Sequence, residues 1–259
     1  PPRSTPKPSS AASDVYKRQA YSQAIANRDS AYNNGDPDNG TNHNYFSGRG
    51  IYGFGPHNNI IVRNCKVHDT PGSGIRLNDA DNSTFEFNEV YNTTWWTHSA
   101  SSAMVFAETI AAVGDTSTGI KMVMRGNTVY NIWNRIPFYS RTSVPNGNGP
   151  GGDYGTYAQN TVIDGQGLYV TRSDPSYAGT FLFENNICVN NGKNGINFDH
   201  SDSASAIYRN NTLYYNGVHE IIQDISVAEG NTAHRGQKVG GIKANHVLNA
   251  TVVNNILVT

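Results

Sequence analysis

Ionisable side chains occur in a combination that could move a proton on a charged substrate. The candidate catalytic residues are Arg172, Asp199, His200, Lys243 and Tyr139. An arginine can neutralise a substrate carboxylate, which makes a neighbouring C–H proton easier to remove. His200 needs only a small pKa shift to act as a base near neutral pH, and Lys243 or Tyr139 could act as base or acid in a cationic neighbourhood. Asp199 could orient the imidazole of His200.

These residues follow short apolar stretches that recur along the chain. Segments such as NNIIVRNCKVHD (58–69), FEFNEVYN (85–92) and FLFENNICVNN (181–191) can be aligned on a shared asparagine. The aligned asparagines are Asn64, Asn88, Asn127, Asn160, Asn186, Asn211, Asn231 and Asn255. Most steps in this column are about 20 to 26 residues, a period typical of stacked units that cannot bury their apolar faces alone.

Each repeat contains two stretches with strand character. One follows the asparagine, as in TVY or ICV, and the second comes about ten residues later and usually begins with glycine. The second stretches read GIYGF (50–54), GIRLN (74–78), AMVFA (103–107), IPFYS (136–140), GLYVT (167–171), GINFD (195–199), EIIQD (220–224) and GIKAN (241–245). Alternation with a period of two indicates strands, and no sustained 3.6-residue pattern indicates a helix.

The pattern therefore predicts an all-β fold: a single-domain, right-handed parallel β-helix, or solenoid, of about eight coils that spans residues 20–259. The asparagine amides would hydrogen-bond along the stack. Residues 1–19 are rich in proline and serine and share nothing with the repeat. We interpret them as a non-native or disordered segment.

Outward-facing residues of stacked strands should form rows along one face. Arg76, Tyr169 and Asn197 would lie in one such row, and Glu108 and Arg141 would lie just past the strand ends. The alternative is an ordinary solvated sheet, whose outward residues are polar by default.

Three long insertions between the repeats carry aromatic residues. Trp95, Trp96 and Tyr154 lie in these loops, and flat rings with polar edges suit contact with sugar rings. Loops and rows together predict a groove for a chain-like ligand. The candidate substrate-binding residues are Arg76, Trp95, Trp96, Glu108, Arg141, Tyr154, Tyr169 and Asn197.

The run from NIIVRNCKVHDTPGSGI through IDGQGLYV to IYRNNTLYYN resembles bacterial right-handed β-helix repeat proteins of the polysaccharide lyase and carbohydrate-active enzyme type. This resemblance implies a secreted or periplasmic protein, a polysaccharide substrate that often contains uronic acid, and often a calcium ion. The segment IYGFGPH (51–57) is similar to the YGFDPH motif of mannuronan C5-epimerases. Tyr52 and His57 match that motif, whereas Gly55 replaces its aspartate.

Three functions are consistent with these features. A lyase would cleave a uronic-acid-containing chain by β-elimination, with Arg172 or Arg76 as the group that neutralises the substrate carboxylate. A glycoside hydrolase would need two carboxyls, for example Asp199 with Asp224 or with Asp174. A non-catalytic protein would bind polysaccharide with the same aromatic residues.

The sequence leaves open whether the protein binds a metal ion. Asp199, Asp202 and Asp174 could hold Ca²⁺, although no EF-hand loop is present.

Composition excludes some partners. Only 15% of residues are charged and the formal net charge is −1, so bulk electrostatics predict no binding to nucleic acid or to an acidic membrane surface. The sequence contains no run of about 18 or more apolar residues, so it predicts no membrane span. Cys65 and Cys188 lie in repeats far apart and are expected to be free thiols. We expect a monomer.

Overall fold

The structure is a computed structural model, and it describes residues 48–95, 101–133, 165–217 and 240–258. These residues belong to one compact unit that comprises Phe46–Phe138 and Asn160–Thr259. The segments predicted as non-native, 1–19, and as the first part of the solenoid, 20–47, lie outside the described residues.

Twenty short strands form the described part of the chain, which contains no helix. In chain order they are β1 (Ile51–Gly53), β2 (His57–Asn58), β3 (Ile61–Arg63), β4 (Lys66–His68), β5 (Ile75–Asn78), β6 (Ala80–Asp81), β7 (Thr84–Glu86), β8 (Glu89–Tyr91), β9 (Met104–Ala107), β10 (Ile120–Arg125), β11 (Thr128–Tyr130), β12 (Leu168–Thr171), β13 (Thr180–Glu184), β14 (Ile187–Val189), β15 (Ile196–Asp199), β16 (Ser201–Arg209), β17 (Thr212–Tyr214), β18 (Ile242–Ala244), β19 (Val247–Val253) and β20 (Ile256–Val258). None of these residues belongs to a helix that is long and apolar enough to cross a membrane.

Three parallel sheets of six strands each run along the molecule. The first contains β1, β5, β9, β12, β15 and β18; the second contains β3, β7, β10, β13, β16 and β19; the third contains β4, β8, β11, β14, β17 and β20. Each coil therefore supplies one strand to each sheet, which is the architecture of a parallel β-helix. The sequence predicted two strands per coil. The third strand of each coil, which lies before the asparagine, was not distinguished from the strand after it because only a single bend separates the two.

The described residues form six coils, not about eight. β9 pairs directly with β12, and β15 pairs directly with β18, so no strand intervenes between them in the first sheet. The stretches 136–140 and 220–224 lie outside the described residues. Asn127 likewise bonds directly to Asn186, and Asn211 bonds directly to Asn255. The described column is therefore continuous at these two points, and Asn160 and Asn231 lie outside the described residues. The long steps in the repeat are insertions between neighbouring coils.

The predicted asparagine column is confirmed in the middle coils and wrong by one residue at its start. Asn64 is the left-handed bend residue, with φ of 55°, and the ladder position belongs to Cys65, whose N–H donates to Asn88 Oδ1 at 3.0 Å. In later coils both positions are asparagine, as in Asn185 and Asn186. The bend and ladder residues therefore cannot be told apart by type. Cys65 and Cys188 are free, as predicted.

Asn186 shows how the ladder satisfies buried polar groups. Its Oδ1 accepts hydrogen bonds from the backbone N–H and the Nδ2 of Asn127, at 3.1 and 3.0 Å. Its Nδ2 donates to Met124 O at 2.8 Å and to Asn211 Oδ1 at 3.0 Å. The side chain is fully buried, so each of these partners depends on it.

Replacing Asn186 by alanine is expected to lower the free energy of unfolding by about 2–3 kcal/mol, because several buried donors and acceptors lose their partner. Urea unfolding followed by circular dichroism measures the change. Asn249→Ala is the matched control, since Asn249 is an exposed strand residue. Equal losses in the two variants would contradict the role given to the ladder.

The core lies inside the coils, as the alternation predicted. Ile75, Leu77, Met104 and Phe106 are the inward residues of β5 and β9, and all four are buried. In the last described coil, Val252 and Leu257 repeat the buried positions of Tyr208 and Leu213 but are 56% and 48% exposed. The core is therefore less covered at that coil.

The outer face of the first sheet is not the exposed surface that the sequence predicted. Arg76, Tyr169 and Asn197 are 6%, 9% and 3% exposed. Val105 and Ala107 pack with Tyr169 in a second small apolar cluster on this face. Parallel sheets are generally covered on both faces, and the middle of this sheet follows that rule. A period of two identifies which side chains point outward, but it cannot show whether they reach solvent.

Candidate functional site

One position, at the bend between the first and second sheets, carries an ionisable residue in five of the six described coils. The residues of this turn column are Asp79, Glu108, Arg172, His200 and His246. All have φ between 51° and 54°, a left-handed conformation that costs an ordinary side chain about 1–2 kcal/mol. Strand pairing places them on successive coils, about 4.8 Å apart. The column thus holds acids, a guanidinium and imidazoles in a fixed order.

A groove runs beside the middle of the turn column. It has a volume of about 540 Å³ and is lined by charged and polar side chains. The ionisable lining residues are Asp79, Glu108, Arg172, Asp174, His200 and Asp202. We call this the turn groove.

The turn groove contains four carboxylates and one guanidinium. Hydrogen bonds from the hydroxyl and the N–H of Ser176 lower the pKa of Asp174, which keeps it ionised. Glu108 accepts a hydrogen bond of 2.6 Å from Asn78 Nδ2. Arg172 is exposed, and no residue that the structure describes forms an ion pair with it. Its charge is available to a ligand.

Two stacked imidazoles lie at one end of the turn groove. The rings of His200 and His246 are parallel within 9°, with centroids 5.0 Å apart. His200 Nδ1 is 3.2 Å from Asp199 Oδ1, and His246 Nδ1 is 3.0 Å from Asp202 Oδ1. Asn245 Nδ2 donates to Asp199 Oδ1 at 2.7 Å.

Some residues predicted from the sequence meet in the turn groove, and others lie nearby. Arg172, Glu108 and His200 line it. Asp199 is half-buried and contacts His200, as expected of an orienting carboxylate, but it does not itself line the groove. Lys243 is half-buried on β18 and does not line the groove either.

Other candidates are not available to a ligand in the turn groove. Arg76, Tyr169 and Asn197 lie on the outer face of the first sheet and are buried there. Arg76 Nε donates a hydrogen bond to Asn78 Oδ1 at 2.7 Å. Trp95 is half-buried and lies outside the groove lining. Four more candidates lie outside the described residues: Trp96, Tyr139, Arg141 and Tyr154.

The motif that resembles the epimerase sequence is not part of the turn groove. Tyr52 is partly exposed, and the Arg49 guanidinium lies 4.2 Å from the centre of its ring. His57 lies on β2 against the backbone of Gly53, and its Nε2 is buried without a hydrogen-bond partner among the described residues. The two matching residues therefore do not join Arg172 and His200.

The three aspartates that the sequence suggested as metal ligands do not converge on one point. Asp174, Asp199 and Asp202 bond instead to Ser176, Asn245 and His246 respectively. Asp224, the other suggested partner of Asp199, lies outside the described residues.

The donor set also does not suit Ca²⁺, which takes six to eight oxygen ligands. Within the described ranges, the one group of three metal-ligating side chains that converges is Asp199, His200 and His246.

Comparison with known families accounts for the architecture. The family model described as the right-handed beta helix region matches residues 49–213. The chain belongs to the right-handed β-helix family. No significant match was found among curated proteins or among solved structures.

The family match covers most of the turn column of this β-helix. Asp79, Glu108, Arg172 and His200 lie inside the matched range, and His246 lies beyond it. Asp79 was not recognised in the sequence as a site residue, although it follows IRLN as His200 follows INFD. Aligning the residues just after each first-sheet strand would have identified it.

A second charged cluster is buried in the β-helix, and its residues do not line the turn groove. Lys121 Nζ is 2.8 Å from Asp81 and 3.0 Å from Asp115, and the side chains of Lys121 and Asp81 are only 3% and 1% exposed. Tyr177 also donates to Asp81, at 3.0 Å. Burial lowers the pKa of Lys121, but hydrogen bonds to the two carboxylates outweigh it and raise the pKa overall. Burial raises the pKa of Tyr177. These contacts join three coils.

Proposed function

We propose that the turn groove binds a polysaccharide and that the protein is a lyase, which cleaves a uronic-acid-containing chain by β-elimination. The observation that carries this proposal is the exposed guanidinium of Arg172, one coil from His200, in a groove of about 540 Å³. The family contributes the scaffold, and the reaction is argued from these side chains.

The proposed reaction begins at the carboxylate of a uronate residue. Arg172 binds this carboxylate and stabilises the negative charge that develops when the C5 proton leaves. His200 accepts that proton through its imidazole. The electron pair forms a C4–C5 double bond while the C4–O glycosidic bond breaks. The leaving oxygen takes a proton from the imidazolium or from water.

The negatively charged residues of the turn groove affect which class of substrate it would bind. One guanidinium faces Asp79, Glu108, Asp174 and Asp202, so a chain that carries a carboxylate on every sugar would meet repulsion away from Arg172. A chain in which uronate residues are separated by neutral sugars fits this distribution better. We therefore expect faster cleavage of such a mixed chain than of a polyuronate.

Glycoside hydrolysis is the second candidate function. Asp79 and Glu108 occupy the same position on adjacent coils and both line the turn groove. The rise between coils of about 4.8 Å is close to the carboxyl separation of retaining glycosidases. These two residues replace the carboxyl pairs that the sequence suggested.

One assay separates the candidate functions. The protein is incubated with alginate, pectate, hyaluronan and glucuronan, and both ultraviolet absorbance of unsaturated uronate and new reducing ends are followed. A rise in both supports the lyase. New reducing ends without unsaturated product would support hydrolysis by Asp79 and Glu108, and the absence of both would overturn enzymatic cleavage of these chains in favour of binding alone.

A further inference from the structure

We propose that Asp199, His200 and His246 form a binding site for a divalent transition metal of the Zn²⁺ type at the end of the turn groove. The site stands independently of the proposed lyase activity. Only its effect on rate, through His200, rests on that activity.

Convergence of the ligand atoms is the first support. One potential ligand atom from each of the three residues lies within 4.8 Å of the others. His200 and His246 emerge from the same turn position of consecutive coils, which explains why their rings stack at 5.0 Å. The backbone holds this arrangement, because Ser201 N–H donates to His246 O at 2.9 Å.

The ligand types select the class of metal. Two imidazoles and one carboxylate suit Zn²⁺ and neighbouring first-row ions, whereas Ca²⁺ and Mg²⁺ prefer all-oxygen sites. The three ligands leave at least one position for water, as in zinc sites that are open to solvent.

Surrounding groups orient the ligands and balance the charge. Asp202 contacts Nδ1 of His246, so the Nε2 lone pair of that ring is left for a metal. Asn245 Nδ2 donates a hydrogen bond of 2.7 Å to Asp199 Oδ1 and so holds this carboxylate. Asp199 and Asp202 together offset the two charges of the metal.

Closing around the ion needs a small movement. Zn–N and Zn–O bonds of about 2.0–2.1 Å place tetrahedral ligands about 3.4 Å apart, so the ligand atoms must approach by roughly an ångström. The side chains of His200 and His246 are 56% and 48% exposed, which leaves the rings free to rotate. The side chain of Asp199 is 14% exposed, and it serves as the fixed ligand.

A bound metal would change the chemistry at His200. The imidazole lone pair that would accept a C5 proton would instead be shared with the ion. Zn²⁺ should therefore slow β-elimination by the wild-type protein.

Calorimetric titration of the full chain with Zn²⁺ alone tests the site. We expect His200→Ala and His246→Ala each to weaken the corresponding binding event at least about tenfold, or to remove one equivalent of bound metal. Titration with Co²⁺ should produce visible absorption by the Co²⁺ ion that the imidazoles coordinate in the wild type, and this absorption should fall in both variants. Ca²⁺ in excess should not displace Zn²⁺.

His68→Ala is the matched control. His68 is an exposed histidine with Nδ1 2.8 Å from Asp69, and it lies on the third sheet. Wild-type binding by His200→Ala and His246→Ala would overturn the site, as would an equal loss in His68→Ala, which would indicate independent binding to surface histidines. Circular dichroism confirms that the variants fold. A protein that binds Zn²⁺ but cleaves no polysaccharide would refute the proposed lyase and leave this site intact.

Discussion

Replacing Arg172 by glutamine should lower the rate of β-elimination by about 10²–10³-fold, because the developing negative charge on the uronate loses the one guanidinium among the described residues that line the turn groove. Glutamine keeps much of the side-chain length and some hydrogen-bonding capacity, so the loss reports mainly the missing charge. The effect should fall chiefly on kcat, since the charge grows in the transition state. Initial rates of unsaturated-uronate formation provide the measurement.

Arg63→Gln is the control for this substitution. Arg63 is an exposed arginine at the end of β3 on the second sheet, and it does not line the turn groove. Its replacement should leave kcat and KM close to those of the wild type. Full activity in Arg172→Gln would remove the lyase mechanism, and a similar loss in both variants would indicate a general effect of positive charge on substrate binding.

Replacing Lys121 by methionine should lower the free energy of unfolding by about 3–5 kcal/mol. The change leaves the carboxylate of Asp81 buried without its ammonium partner, and an uncompensated buried charge is costly. Methionine retains most of the apolar volume of lysine, so the loss reports the charge and not a cavity. Chemical denaturation at neutral pH measures it.

Two further variants show whether burial is the cause. Lys66→Met removes the ammonium that lies 3.0 Å from Glu89 in an exposed ion pair, and it should cost far less. Asp81→Asn in the Lys121→Met background removes the stranded charge and should restore part of the lost stability. A similar cost for Lys66→Met and Lys121→Met, or no recovery in the double variant, would show that the buried pair is not the source.

The strand pattern of the first and third sheets could be predicted from the sequence because successive side chains of a strand point to opposite faces, so the inward apolar residues recur with a period of two. GINFD and TLY became strands for that reason. The number of coils could not be predicted, since IPFYS and EIIQD alternate as the stretches that form coil strands do. Only the direct pairing of β9 with β12 and of β15 with β18 shows that no strand intervenes in the first sheet at these points.

The candidate site was predictable only in part. Arg172 and His200 were identified because the residue after each strand is fixed by the repeat. The burial of Tyr169 and Asn197 could not be predicted, because alternation reports direction and not what packs against a face. The pairing of His246 with Asp202 depends on a contact between coils across 44 residues, which no local pattern contains.

The left-handed turn column has a consequence for how such a protein can acquire new chemistry. At Asp79, Glu108 and Arg172, the backbone N–H bonds to a carbonyl oxygen of the next coil, whatever side chain is present. Exchanging the side chain therefore leaves both the core and the ladder intact, and several residue types already occupy this position. The turn column is therefore a row of positions at which side chains can be replaced independently of one another. Substitutions at one coil after another could build a new activity, in evolution or by design, while the β-helix scaffold stays the same.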